Sequence, residues 1–166
     1  MEAIRRPIAD NQCPFVLTEE SLKTIWEITR GYPYFIQYVC RETFDVWVQS
    51  RAAGREPAPI PVDEIIRKLD SDFFAGRWAR ATDRQRALLG VIAMLPNSEG
   101  KFTVQEIVEQ SARKLKRPFS NSHVNQMLVS LGENGLVYKN RHGKYSFAVP
   151  LMGPFILRQL HDESTS

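Results

Sequence analysis

At 166 residues and 19.1 kDa, the chain can hold one ordinary domain or two small ones but not a large multidomain enzyme. With 43% hydrophobic residues, 25% charged residues and a mean hydropathy of -0.32, it carries enough apolar material for a buried core, which excludes a disordered chain. The formal charge is only +3, and no apolar run approaches the ~20 residues that cross a bilayer, so a membrane-spanning class is excluded as well.

The first predicted helix opens at Thr18-Glu19-Glu20, a hydroxyl cap followed by acids suited to the positive helix N-terminus. Leu22, Ile25, Trp26 and Thr29 mark its apolar face, and Gly31 ends it. Pro33 can start the next helix because its missing N–H would be unpaired there anyway. Ile36, Val39, Cys40, Phe44 and Trp47 carry that helix to about residue 50, so the pair forms a helical hairpin. Gly54 to Pro61, with Pro57, Pro59 and Pro61, must be a short extended connector. Val62, Ile65, Ile66, Leu69 and Phe73 then follow helical spacing behind Asp63 and Glu64, and complete a small bundle.

A second unit begins at Thr82-Asp83-Arg84-Gln85, a capping-box pattern, with Leu88, Val91, Ile92 and Leu95 on one face. Pro96 to Gly100 stops this helix. Thr103-Val104-Gln105-Glu106 is a second capping box, and Phe102 before it is placed to pack on Ile107 as a hydrophobic staple. A third helix is expected from about Ser122 to Asn134, with Val124, Met127, Leu128 and Leu131 inward and Gly135 as its left-handed stop. Residues 136–139 and 144–149 read as strands around the polar loop Asn140-Arg141-His142-Gly143, which predicts a hairpin. A short apolar helix around Pro154 to Leu160, anchored by Phe155 and Ile156, closes the fold.

Helix, capped helix, helix and a two-stranded hairpin within about 70 residues is the layout of a winged helix-turn-helix. The expected fold class is therefore mainly α with a small β component (α+β). Its expected domains are a helical bundle at 1–80, a winged helix at 81–161 and a disordered tail at 162–166. Charge follows this division. Residues 1–81 carry eleven basic and twelve acidic side chains, and residues 82–166 carry eleven and seven; within 110–145 seven cations face only Glu133. Such a local positive field suits a polyanion or an acidic protein surface. In a winged helix the third helix enters the major groove, which would turn Asn121, Ser122, His123, Asn125, Gln126 and Ser130 outward. Asn125 and Gln126 could pair with adenine, while Arg113, Lys114, Lys116, Arg117, Lys139, Arg141 and Lys144 would meet phosphates. That helix carries no Arg or Lys, although Arg to guanine is the commonest specific contact.

The residues Glu2 to Ile8, Leu17-Thr18-Glu19-Glu20 and above all Thr29-Arg30-Gly31-Tyr32-Pro33-Tyr34-Phe35-Ile36-Gln37 resemble the helical lid of archaeal-type STAND ATPases of the AAA+ group. Phe73 to Trp78, Gln85 to Leu89 and the following winged helix are similar to the C-terminal domain that these ATPases share with origin-recognition AAA+ proteins. The resemblance implies that Gly31, Tyr32 and Pro33 form the GxP motif of the lid, with the proline against bound nucleotide. A glycine and proline opening a helix allow close backbone approach and free N–H groups, which is compatible with that role. Where many AAA+ lids carry a sensor arginine soon after the glycine, this chain has Tyr34, so no arginine sensor is expected.

Catalytic signals are missing. Gly100-Lys101 and Gly143-Lys144 lack the preceding glycine and following hydroxyl of a P-loop, and no nucleophile elbow or kinase signature occurs. Cys13 and Cys40 have no CxxC spacing, and His123, His142 and His161 are scattered, so metal catalysis has no support. The N-terminus has no apolar stretch behind Arg5-Arg6, and a cytoplasmic protein is expected. The leading expectation is thus a non-catalytic C-terminal part of a larger ATPase. ATP and magnesium would then bind only with a P-loop core, and the winged helix would bind duplex DNA or an acidic protein partner. The alternatives are a stand-alone winged-helix transcription regulator and a protein-interaction module without DNA binding.

Overall fold

The computed structural model describes Phe15, residues 17–55 and residues 60–165, and these divide into two compact units that meet between Leu69 and Asp70. Glu2 to Ile8, Cys13 and residues 56–59 of the proline-rich connector lie outside the described residues.

The first unit contains α1 (Glu19–Thr29), α2 (Pro33–Ala52) and α3 (Val62–Leu69). Thr18 caps α1 through its side-chain oxygen, which accepts from Ser21 N–H at 3.1 Å. α1 and α2 pack as a hairpin over Leu22, Ile25, Phe35 and Val39, all fully buried. Two apolar assignments change. Trp26, expected inside, is 48% exposed, and Phe44 is 37% exposed, while Phe35, Tyr38, Glu42 and Thr43 take the inner face of α2. Trp26 is displaced because its ring covers Gly31 at the corner of the hairpin: a Cβ built there would come within 2.7 Å of it. Glu42 tolerates burial because Lys68 of α3 and Arg41 donate to its carboxylate. The hydrogen bond from Lys68 is the largest influence holding that carboxyl below the ordinary glutamate value.

The helical run that begins at α3 does not stop near Phe73 as periodicity suggests. It passes through a π-helical turn at Asp70–Phe74 into α4 (Ala75–Ala79), and both pieces belong to the second unit. Their side chains explain this. Phe74 stacks on Phe155 at 5.1 Å, Trp78 meets the same ring edge-on at 6.1 Å, and Asp70 takes a bidentate pair from Arg158 at 2.6 and 2.8 Å. The second unit therefore starts ahead of residue 80, where the sequence pattern alone places the domain boundary.

It continues with α5 (Asp83–Ala93), α6 (Val104–Lys114), α7 (Asn121–Glu133), β1 (Val137–Lys139), β2 (Tyr145–Phe147) and α8 (Met152–Thr165). Both capping boxes form, at Thr82/Gln85 and Thr103/Glu106. β1 and β2 pair antiparallel with Val137 opposite Phe147, Tyr138 opposite Ser146 and Lys139 opposite Tyr145. Phe102 adds a one-residue bridge to Tyr145, with N–H to carbonyl bonds of 2.8 Å in both directions. Leu88, Ile92, Ile107, Val124, Leu131 and Ile156 fill the core. α8 packs closely on α5, where Leu160 lies 2.7 Å from the Cβ that Gly90 lacks. No Gly or Pro interrupts the chain after Pro154, and α8 runs through Thr165, past the expected end at Leu160 and into the stretch read as a tail. The fold is mainly helical with a small antiparallel wing, as composition and periodicity indicate.

Candidate nucleic-acid interface

The turn from α6 to α7 is built by one buried hydroxyl. Ser111, fully buried, donates to the Val108 carbonyl at 2.8 Å and accepts from Phe119 N–H at 3.0 Å. This holds Phe119 inside at 2% exposure while Lys116, Arg117 and Pro118 stay exposed. Ser120 then caps α7, its oxygen accepting from His123 N–H. Asn121, Ser122, His123, Asn125 and Gln126 are exposed on the first turns of α7, as expected. The Asn125 amide already donates to the Asn121 carbonyl at 2.9 Å. Ser130 is different: it is half-buried, and its oxygen accepts from Gln85 Nε2 of α5 at 3.1 Å, so it is a packing contact and not an outward group.

The wing is set by Asn140, whose side-chain oxygen accepts from the N–H groups of His142 and Lys144 at 2.9 and 3.0 Å. Gly143 takes φ +76°, which a glycine adopts without strain. Lys139, Arg141 and Lys144 are exposed around this tip, and Lys139 lies 5.6 Å from the Tyr145 ring. Lys144 also contributes to the field at Glu106, whose carboxyl is held below its ordinary value first by the Thr103 hydroxyl and then by the Thr103 N–H. Among the described residues, Lys114, Lys116, Arg117, Lys139, Arg141 and Lys144 form no ion pair within 4 Å. Arg113 is exposed and lines a recess with Glu106 and Glu109.

Sequence reasoning passes over Arg84. It is exposed, and its guanidinium lies 4.7 Å from the centroid of Phe119, beside the turn into α7. A signal was available: a cation in the first turn of α5 opposes the helix dipole, so something else must favour it there.

The other expected site is the corner between α1 and α2. Arg30 and Gly31 both have positive φ, 53° and 73°, and Tyr32 N–H closes the turn on the Thr29 carbonyl at 3.0 Å. Thr29, fully buried, donates to the Ile25 carbonyl and accepts from Gly31 N–H. Tyr32 is half-buried, Pro33 is exposed at the first position of α2, and Tyr34 is 50% exposed. The positive φ and the overlying Trp26 ring account for the glycine locally. Among the described residues no cluster of three metal-ligating side chains occurs, and no helix is long and apolar enough to cross a membrane. An open groove of about 460 Å³ between Pro96–Lys101 and the start of α8 contains none of the candidate residues.

α5, the Phe102 bridge, α6, α7 and the two-stranded hairpin make an α+β helical domain followed by a small antiparallel wing. The chain belongs to the family of DUF8462, a domain of unknown function, whose model matches residues 71–156, just over half of its length. The match begins next to the first residue of the second unit and ends inside α8. Among curated proteins nothing matches the chain.

Proposed function

We propose that the chain is a non-catalytic lid and winged helix of a STAND-type AAA+ ATPase, and that its winged helix binds duplex DNA. The observation that carries the DNA reading is the set of exposed cations before and after α7, at Lys114, Lys116, Arg117, Lys139, Arg141 and Lys144, none neutralised by an acid within 4 Å among the described residues. Backbone phosphates are the ligands that such a surface suits, and Asn125 and Gln126 are exposed on α7, the helix that would enter a groove in this reading. The ATPase part rests on the resemblance of Thr29 to Gln37 to an AAA+ lid. In that reading a P-loop core holds ATP and magnesium, Gly31-Tyr32-Pro33 lies near the nucleotide, and nucleotide state repositions the winged helix.

Duplex binding, measured by fluorescence anisotropy, should weaken steeply between low and physiological salt because bound phosphates release counterions. Replacing Arg141 and Lys144 together by Ala should lower affinity by about tenfold, since every phosphate left without its cation gives up part of that electrostatic driving force. A flat salt profile would replace the DNA reading with docking of an acidic protein. The protein by itself should hydrolyse no ATP, and turnover by clean protein would overturn the non-catalytic assignment.

A further inference from the structure

We propose that this surface takes duplex DNA of any sequence, holding phosphates without reading bases, and that Arg84 is one of its phosphate contacts. The inference rests on the DNA-binding reading above and narrows it to a class of target.

Three observations lead there. The exposed residues on the first turns of α7 are amides, a hydroxyl and an imidazole, so the helix lacks the Arg or Lys side chain that reads guanine in the major groove. Among its amides, Asn125 is engaged by its own helix through the 2.9 Å bond to Asn121. That bond takes one of the two amide N–H groups and holds the side chain against its own helix, so a bidentate pair with adenine is confined to the remaining N–H and the oxygen in that orientation. The cations, by contrast, all lie off the helix: Lys114, Lys116 and Arg117 precede it, and Lys139, Arg141 and Lys144 follow it. Contacts from flanking cations fix register on the backbone and carry no sequence information.

Arg84 extends the same pattern from a third element. Its guanidinium is placed over Phe119, which is itself fixed by the Ser111 bond, so the charge is held beside the turn that leads into α7. No acid lies within 4 Å of it among the described residues. A planar guanidinium resting on an aromatic face keeps its donors directed outward, a suitable geometry for a phosphate.

The test uses the full chain and labelled duplexes of about 20 base pairs with unrelated sequences and differing G·C content, titrated across a range of salt. Affinities should agree within about threefold, with a log–log salt slope of about −4 to −6. Arg84→Ala should weaken every duplex alike and make the slope shallower by about 1, whereas Asn125→Ala should leave the order of affinities unchanged. Thermal melting of each variant separates a weakened interface from a damaged fold. A preference above about 30-fold for one duplex overturns sequence independence while leaving DNA binding intact. An Arg84→Ala protein with unchanged slope removes Arg84 from the interface. Absence of binding to every duplex at low salt removes the DNA reading and this inference together.

Discussion

Trp26, Tyr34 and Phe44 of the first unit are 48%, 50% and 37% exposed, whereas Phe74, Phe102 and Phe155 of the second are at most 1% exposed. Each unit also has the opposite case, Phe35 buried in the first and Tyr138 exposed in the second, so the contrast lies in how the buried rings are joined. In the second unit the rings are joined, Phe74 to Phe155 to Trp78, across pieces of chain separated by more than seventy residues. In the first, helices of 11, 20 and 8 residues are joined by a tight corner and carry a buried carboxylate. An apolar core stabilises through area and packing; a corner and an ion pair stabilise through backbone conformation and charge.

Three substitutions should break this contrast, in decreasing order of effect. Phe155→Ala removes the ring that Phe74 and Trp78 share and should cost the second unit about 3–5 kcal/mol, read as a fall in its denaturant midpoint by far-ultraviolet circular dichroism. Gly31→Ala places a Cβ at φ +73° and against Trp26, for about 1–2 kcal/mol; because Trp26 is half in solvent, its ring can swing aside, and its fluorescence should report that movement. Glu42→Gln should be mildest, about 1 kcal/mol at neutral pH, since Lys68 is itself half-exposed.

The Glu42 effect has a pH signature. Folding holds its carboxyl below the ordinary value of 4.5, chiefly through the Lys68 hydrogen bond, so the folded state favours the ionised form. That contribution is present in full above the ordinary value and fades as pH falls through the lowered one. Denaturant melts from neutral pH to about pH 3 should therefore show a shallower acid loss in Glu42→Gln than in the parent chain. Equal acid slopes would mean that the pair contributes nothing to the contrast.

Much of the second unit is legible in the sequence because its signals are local. A hydroxyl three residues before Gln85 or Glu106 announces a helix start by hydrogen bonds the sequence itself contains, whereas the Ser120 cap of α7 escapes the sequence pattern, which starts that helix near Ser122 rather than Asn121. Helical spacing turns Leu88, Val91, Ile92 and Leu95 inward, and all four are buried. What escapes depends on partners distant in sequence. Trp26 satisfies the helical period yet points to the hairpin corner, and nothing near Phe102 shows that it pairs with Tyr145. Ser130 sits where a helical wheel looks outward, but Gln85, 45 residues earlier, binds it. The candidate cations are legible as composition, and their exposure follows from the turn and wing geometry. Arg84 is legible only as a cation that opposes the α5 dipole; its placement depends on the Phe119 ring. The π-turn has no simple periodic signature, so apolar spacing alone ends the helix at Phe73.

Gln85 has one further consequence. Its carboxamide oxygen accepts from Thr82 N–H at the first turn of α5, and its nitrogen donates to Ser130 on α7. One planar group thus serves two helices, and rotating it to release either partner releases both. The fraying of the α5 entrance and the loosening of α7 become a single opening event. The Thr82 amide proton should then exchange with solvent on the same clock as Ser130 is freed, and Ser130→Ala, which removes the partner on α7 and leaves the Thr82 bond, should uncouple the two.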